Sequence, residues 1–313
     1  MKTKFECTIR AACQPFGAPV CAGALLLMAA SAPAQNLFVA NQGTRSGTTV
    51  TEITPAGVQS TFASGLNSPD GLAFDSAGNL FVGNQGGNTI TEITPDGAQA
   101  IFASGLSAPQ ALAFNSAGDL FEADDGSGNI YEFTPGGAQT TFASGLAFPN
   151  GLAFNSAGDL FETDPGSGNI YEFTPGGVQS TFASGFSFPE GLAFNSAGDL
   201  FVADGGNIYE FTPAGVRSTF ASGLNYPIGV AFNSAGNLFA SDAPSGNIYE
   251  FTPGGAQSTF ASGLNNPEGL AFQGLTLPVP EPSALGLLAV GVTALLVRRR
   301  RKSWAPGSAT FWY

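Results

Sequence analysis

Residues 119–158 read DLFEADDGSGNIYEFTPGGAQTTFASGLAFPNGLAFNSAG. The same frame recurs along the chain, with copies opening at Asn36, Asn79, Asp119, Asp159, Asp199 and Asn237, so the spacings are 43, 40, 40, 40 and 38 residues. A period of about 40 residues holding four short strands marks a propeller blade, a unit that buries its apolar faces only against its neighbours. In the quoted copy the strands are read at Leu120–Ala123, Ile130–Phe133, Gln139–Phe142 and Gly151–Phe154. Thr134-Pro135-Gly136-Gly137 predicts a type II turn, with proline then glycine at its centre. Asn155-Ser156-Ala157-Gly158 supplies Asx and glycine turn formers. Segments such as Leu-Phe-Val and Gly-Leu-Ala-Phe are apolar on both faces, which suits a sheet sandwiched between two others.

The array opens on the strand at Leu37–Val39 and closes on the strand at Gly269–Phe272. The last strand is therefore expected to complete the first sheet, joining the two ends of a ring and leaving no unpaired central edge. Six copies of each strand type predict an all-β, six-bladed propeller over 36–274, with four antiparallel strands per blade. Both tryptophans, Trp304 and Trp312, lie outside the array, which sets the WD-repeat family aside. The frame P-x-G-L-A-F-N-S-A-G-D/N-L-F-V-A-D resembles that of NHL-repeat propellers and of six-bladed propellers of the senescence-marker and gluconolactonase type.

Charge narrows the partners. All but Glu6 and Glu281 of the 23 acidic residues fall in 36–274, against two basic ones, Arg45 and Arg217, so the array carries a net charge of −19. Such a body repels phosphate backbones and excludes nucleic acid as a partner; it favours cations or cationic partners, or simply solubility. The chain has no histidine, which removes Ser-His-Asp and Cys-His machinery and histidine zinc sites. Cys7, Cys13 and Cys21 all precede the array, so the body has neither a disulfide nor a thiol nucleophile.

The two ends read as addresses. Residues 1–34 have the layout of a secretory signal: Lys2, Lys4 and Arg10, then the apolar Ala22–Ala30, then the small-residue site Ala32-Pro33-Ala34. An uncleaved anchor is the other reading of that segment. Residues 275–283 form a linker carrying Pro280-Glu281-Pro282. An apolar run, 284–297, follows, then Arg298, Arg299, Arg300, Arg301 and Lys302, and a last stretch at 303–313. This order resembles the PEP-CTERM sorting signal of Gram-negative bacteria, although here the chain continues past the arginines. The resemblance implies recognition by an exosortase-type sorting enzyme, removal of the tail, and delivery to the cell surface or extracellular matrix. As a helix, 284–297 would span about 21 Å against a hydrocarbon core of about 30 Å. That length suits transient membrane association; a retained C-terminal anchor is the alternative.

Antiparallel order puts the Asn-Ser-Ala-Gly and Thr-Pro-Gly-Gly turns on one face of the ring, where they hardly vary. The opposite face carries the loops that change in length and content, the more usual place for function. Two polar rings are expected there. The x of P-x-G gives Asp70, Gln110, Asn150, Glu190, Ile228 and Glu268 at the axial entrance. The end of the next strand gives Asn41, Asn84, Asp124, Asp164, Asp204 and Asp242. Carboxylates around one mouth repel each other unless a cation or water intervenes, and oxygen ligands suit calcium or another divalent cation. The gluconolactonase resemblance implies metal-holding roles for Asp70 and Asn150, with Glu190 and Glu268 as further ligands. Ile228 breaks the ring, and Ala111 replaces the glycine after Gln110.

Glu122 and Glu162 stand where other copies have Val39, Val82, Val202 and Ala240; they are expected to be partly buried, reached by solvent through a loose interface. Glu52, Glu92, Glu132, Glu172, Glu210 and Glu250 mark a repeated solvated position. Asp124–Asn129 reads as an Asx turn. Two functions follow. The first is an exported, surface-sorted binding or scaffolding module for an extracellular glycan or surface protein, with Phe148, Phe186, Phe188 and Tyr226 as contacts. The second is a divalent-metal-dependent, lactone-type hydrolase in which Glu190 or Asp204 is the general base.

Overall fold

The computed structural model describes residues 34–43 and 48–274. The leader, the Pro-Glu-Pro motif, the apolar run and the arginine block lie outside those residues. Within them the chain forms six four-stranded antiparallel sheets arranged as the blades of a propeller. Blades two to six begin with inner strands at Pro69–Phe74, Pro109–Phe114, Leu152–Phe154, Pro189–Phe194 and Pro227–Phe232, and each then runs outward in chain order. Blade one takes its inner strand from the far end of the array. Pro267–Phe272 pairs antiparallel with Leu37–Asn41, with Leu37 opposite Phe272 and Phe38 opposite Ala271. The count and the closure match the sequence reading. The strands run slightly longer than expected at the mouth, as in Leu120–Asp124 and Asn129–Phe133, because Asp124 still pairs with Asn129.

Phenylalanine spaces the blades. Each second strand contributes one ring that meets, edge to face, the inner-strand phenylalanine of the next blade. The pairs are Phe38–Phe74, Phe81–Phe114, Phe121–Phe154, Phe161–Phe194, Phe201–Phe232 and Phe239–Phe272, with centroids 4.9–5.1 Å apart. Each such pair adds about 0.5–1.5 kcal/mol beyond the area it buries. The sixth pair joins blade six to the closing strand, so ring packing continues through the seam.

Nearer the axis the spacing is set by glycine. The glycine of P-x-G faces the backbone of the following inner strand. A Cβ added at Gly71 would stand 2.1 Å from the main-chain oxygen of Gln110; one at Gly191 would stand 2.4 Å from that of Ile228. Ala111 needs a wider gap, and the blade that follows it has the shortest inner strand, Leu152–Phe154.

One turn differs from its prediction. Positive φ falls on Gly137, the fourth residue of Thr-Pro-Gly-Gly, and not on Gly136. The Gly137 N–H donates to the Thr134 carbonyl at 2.8 Å. These are type I turns followed by a left-handed glycine, not type II turns. The third position therefore needs no glycine, which is why Ala56, Asp96 and Ala214 stand there in other copies. The fourth remains glycine in all six.

Candidate functional site

The inner strands start at one face and descend toward the axis, so their first side chains ring a mouth. Two residues further down, Leu72, Leu112, Leu152, Leu192, Val230 and Leu270 line an axial cavity of about 90 Å³, with Asp70 and Asn150 at its polar end. The site is a small polar basin over an apolar floor. Of the inner ring, Gln110, Glu190 and Glu268 are buried, and Asp70, Asn150 and Ile228 are partly exposed.

Three of these carboxyls hold protons into the neutral range. Asp70 is pushed up to about 7 by burial and by the charge of Asp125. Glu190 is pushed up to about 7, chiefly by burial; the Tyr226 hydroxyl opposes this, Asp70 adds repulsion, and hydrogen bonding to Asn150 offsets part of it. Glu268 is pushed up to about 9 by burial and by Asp70 and Glu190. Tyr226 Oη donates to Glu190 Oε1 at 2.8 Å, and Asn266 Nδ2 donates to Glu268 Oε1. Asp125 joins this group, its own pKa raised by burial and by Asp124 while a Gln110 hydrogen bond opposes the shift. Sequence reading placed Asp125 in a turn and missed it; the doubled Asp124-Asp125, found in that copy alone, was the available signal.

The carboxylates of the second ring are hydrogen-bonded to loop N–H groups. Asp124 accepts from the Ser107 and Ser127 N–H groups at 2.6 and 3.1 Å. Asp164 accepts from Ala147 and Ser167 at 2.7 and 2.9 Å, and Asp242 from Asn225 and Tyr226 at 2.8 and 3.4 Å. Asp204, named as a candidate base, accepts from both Ser187 and Phe188, at 3.0 and 2.6 Å. Asn41 and Asn84 turn their amides to Thr51 and Thr91. All six are buried. A short carboxylate at the strand end closes the loop from the preceding blade by taking its exposed N–H groups, the same chemistry as a helix N-cap.

Of the four aromatic candidates, three reach the mouth. Phe148 and Phe188 are 56% and 46% exposed. Phe188 lies 6.3 Å from Tyr226, ring centre to ring centre, at 42°. Phe186 is buried between blades, with the Arg217 guanidinium 4.6 Å from its ring, so it offers no contact surface. The three rings, Tyr226 half-buried, come from the loops entering blades four, five and six.

Glu122 and Glu162 also depart from expectation. Both are 0% exposed, and none of their four carboxyl oxygens has a hydrogen-bond partner. Their interfaces are closed, so no loose packing admits solvent. Burial drives both well above the usual carboxylate range, with Asp124 and Asp164 adding to it; at Glu162 the nearby Asn150 N–H opposes the shift, although that N–H is bonded to the Thr163 carbonyl at 2.9 Å. The strand glutamates are not simply solvated either: Glu52, Glu92 and Glu250 accept from Asn36, Asn79 and Asn237.

Among the described residues, no three or more Asp, Glu, Cys or His side chains gather into a group able to hold a metal ion. Asp70, Asn150, Glu190 and Glu268 share the mouth, with Glu190 bonded to Tyr226 and Glu268 to Asn266.

A family model, the PEP-CTERM protein-sorting motif, matches residues 278–302. No curated protein matches the chain. Among solved structures, a chain of a nidogen/laminin complex is similar with a TM-score of 0.69 and 20% identity, over 76% of this chain and 98% of that one. A virginiamycin B lyase from Staphylococcus aureus gives 0.56 and 18%, over 66% and 77%. A streptogramin B lyase gives 0.60 and 14%, over 75% and 91%. At these identities the likeness shows the fold alone. Among the described residues no helix is long and apolar enough to cross a membrane; the run 284–297 lies outside them. The chain is a six-bladed β-propeller carrying a PEP-CTERM motif, which implies export, surface sorting and recognition by an exosortase-type sorting enzyme.

Proposed function

We propose that this protein is a surface-sorted binding module without catalysis, whose mouth seats an extracellular polysaccharide. Its exported leader is removed after Ala34. The run 284–297 holds the chain at the bilayer of a Gram-negative cell until the tail is processed, and the product joins the cell surface or extracellular matrix. The observation that supports the binding reading is the mixed rim. Phe148, Phe188 and Tyr226 bring rings from the loops entering blades four to six; Asp70, Asp125 and Glu268 bring carboxyls from blades two, three and one, and Glu190 stands among the rings, bonded to Tyr226. Ring faces take the CH surface of a sugar, and carboxyl and amide groups take its hydroxyls, the usual division of labour in a polar-apolar site.

The hydrolase reading draws no support from the mouth, where no metal-holding group forms among the described residues and the candidate base Asp204 is committed to two backbone N–H groups. Nor does lyase chemistry carry over from the structural neighbours. One of those lyases is inactive when a histidine is replaced by alanine, and this chain has no histidine. Glycan-array binding followed by calorimetric titration of the full chain tests the proposal. Binding that falls at least about tenfold, roughly 1.4 kcal/mol, in Phe148→Ala or Phe188→Ala supports it. Binding only to a surface protein, or glycan binding indifferent to both rings, overturns it.

A further inference from the structure

Both ends of the array leave the ring at one place. The closing inner strand enters at the mouth with Pro267 and emerges on the opposite face after Phe272. There the Gln273 N–H donates to the Asn36 carbonyl at 3.3 Å, and Gln35 Nε2 donates to the Gln273 carbonyl at 3.0 Å. Gln35 Oε1 accepts the N–H of Ser234, in the Asn-Ser-Ala-Gly turn of blade six, at 2.8 Å. The sorting tail therefore starts from the face of conserved-frame turns, close to the axis and away from Phe148, Phe188 and Asp70.

We infer that the propeller is held with this turn face toward the membrane and its mouth directed outward. The inference rests on the proposed entry of 284–297 into the bilayer. Nine residues, 275–283, separate the ring from that run, and at about 3.4 Å each they reach at most about 31 Å. To bring the mouth against the bilayer, the linker would have to pass around a blade. It would cross three strand spacings, about 14 Å, and climb a six-residue strand, about 20 Å. A further 7 Å or so of headgroups would remain before the hydrocarbon. That path of about 41 Å exceeds the reach. The axis offers no shortcut, since six leucine and valine side chains line a cavity of about 90 Å³ there. Tethered through its turn face, the ring can only present the aromatic and acidic rim to the exterior, where a sugar polymer would be met. A sorting enzyme acting at Pro280–Pro282 works, by the same measure, within about 27 Å of that turn face.

The full chain, with Cys7, Cys13 and Cys21 replaced by serine, takes one cysteine at either end of blade five: Ser196→Cys on the turn face or Ser187→Cys at the mouth, both exposed. Each is labelled with a fluorophore and bound to phosphatidylethanolamine/phosphatidylglycerol vesicles carrying a headgroup quencher. The label at 196 is expected to lose several-fold more intensity than the label at 187. Equal quenching, or stronger quenching at 187, with the chain floating alongside the vesicles, overturns the orientation alone. A chain that does not float with the vesicles overturns the membrane reading and the orientation with it.

Discussion

A methyl carbon on Gly269 would stand 2.2 Å from the main-chain oxygen of Asp70, a separation that no real Cβ tolerates. Gly269 belongs to the closing strand and Asp70 to the next blade, so the shape of the seam depends on one missing side chain. Gly269→Ala is expected to destabilise the fold by about 1–3 kcal/mol through overpacking, with a lower midpoint in thermal unfolding. Gly65→Ala is the comparison: it adds strain at a positive φ but meets no atom within 4 Å. Equal losses from the two would remove the steric account of the seam.

Glu122 and Glu162 give the fold a pH dependence of known sign. A carboxyl whose pKa is raised by folding keeps its proton in the native state and gives it up in the unfolded chain. Stability then falls as pH climbs above the ordinary glutamate value of 4.5. Replacing each by the valine of other copies removes a buried group without partners, worth about 1–3 kcal/mol. The double variant E122V/E162V is expected to unfold at higher temperature at pH 8 and to lose much of the difference between pH 5 and pH 8. A variant less stable than the parent at both pH values would count against this account.

Asp164 is predicted to hold the loop entering blade four. Asp164→Ala deletes the acceptor of two N–H bonds, and the orphaned donors cost about 1–3 kcal/mol. Hydrogen exchange at Ala147 and Ser167 should speed up while exchange at Ile170, buried in the adjacent strand, changes little. Uniform acceleration across the blade would instead indicate global destabilisation.

The mouth gains charge through the neutral range. With Asp70 and Glu190 near 7 and Glu268 near 9, carboxyl carbons observed by NMR should titrate with apparent midpoints well above ordinary carboxylates, as properties of the group and not of single residues. Asp125→Asn removes the smaller of the two causes that raise Asp70, so the Asp70 midpoint should fall while burial keeps it above the usual carboxylate range. An unchanged midpoint would mean that burial alone sets it.

Much of this was legible in the residues. A 40-residue period, four apolar segments per copy and glycine-bearing turns dictate blades. The order of strand types at the two ends dictates that the last strand completes the first sheet. The turn type was misread because proline and glycine at the centre fit two turns, and only the φ of Gly136 and Gly137 separates them. The inner ring was found because it is one column of the repeat. The roles of Asp204 and its equivalents were not, because a carboxylate at a strand end reads alike whether it faces an axis or a loop N–H.

The sequence by itself determined the architecture, the absence of imidazole and thiol chemistry from the body, and the sorting motif near the C-terminal end. These follow from local pattern and composition, which survive without coordinates. Only the tertiary structure decided which acids meet, which are consumed by backbone donors, and which sit without partners between blades. Burial and mutual repulsion belong to groups brought together from far along the chain, and no single stretch of residues carries them.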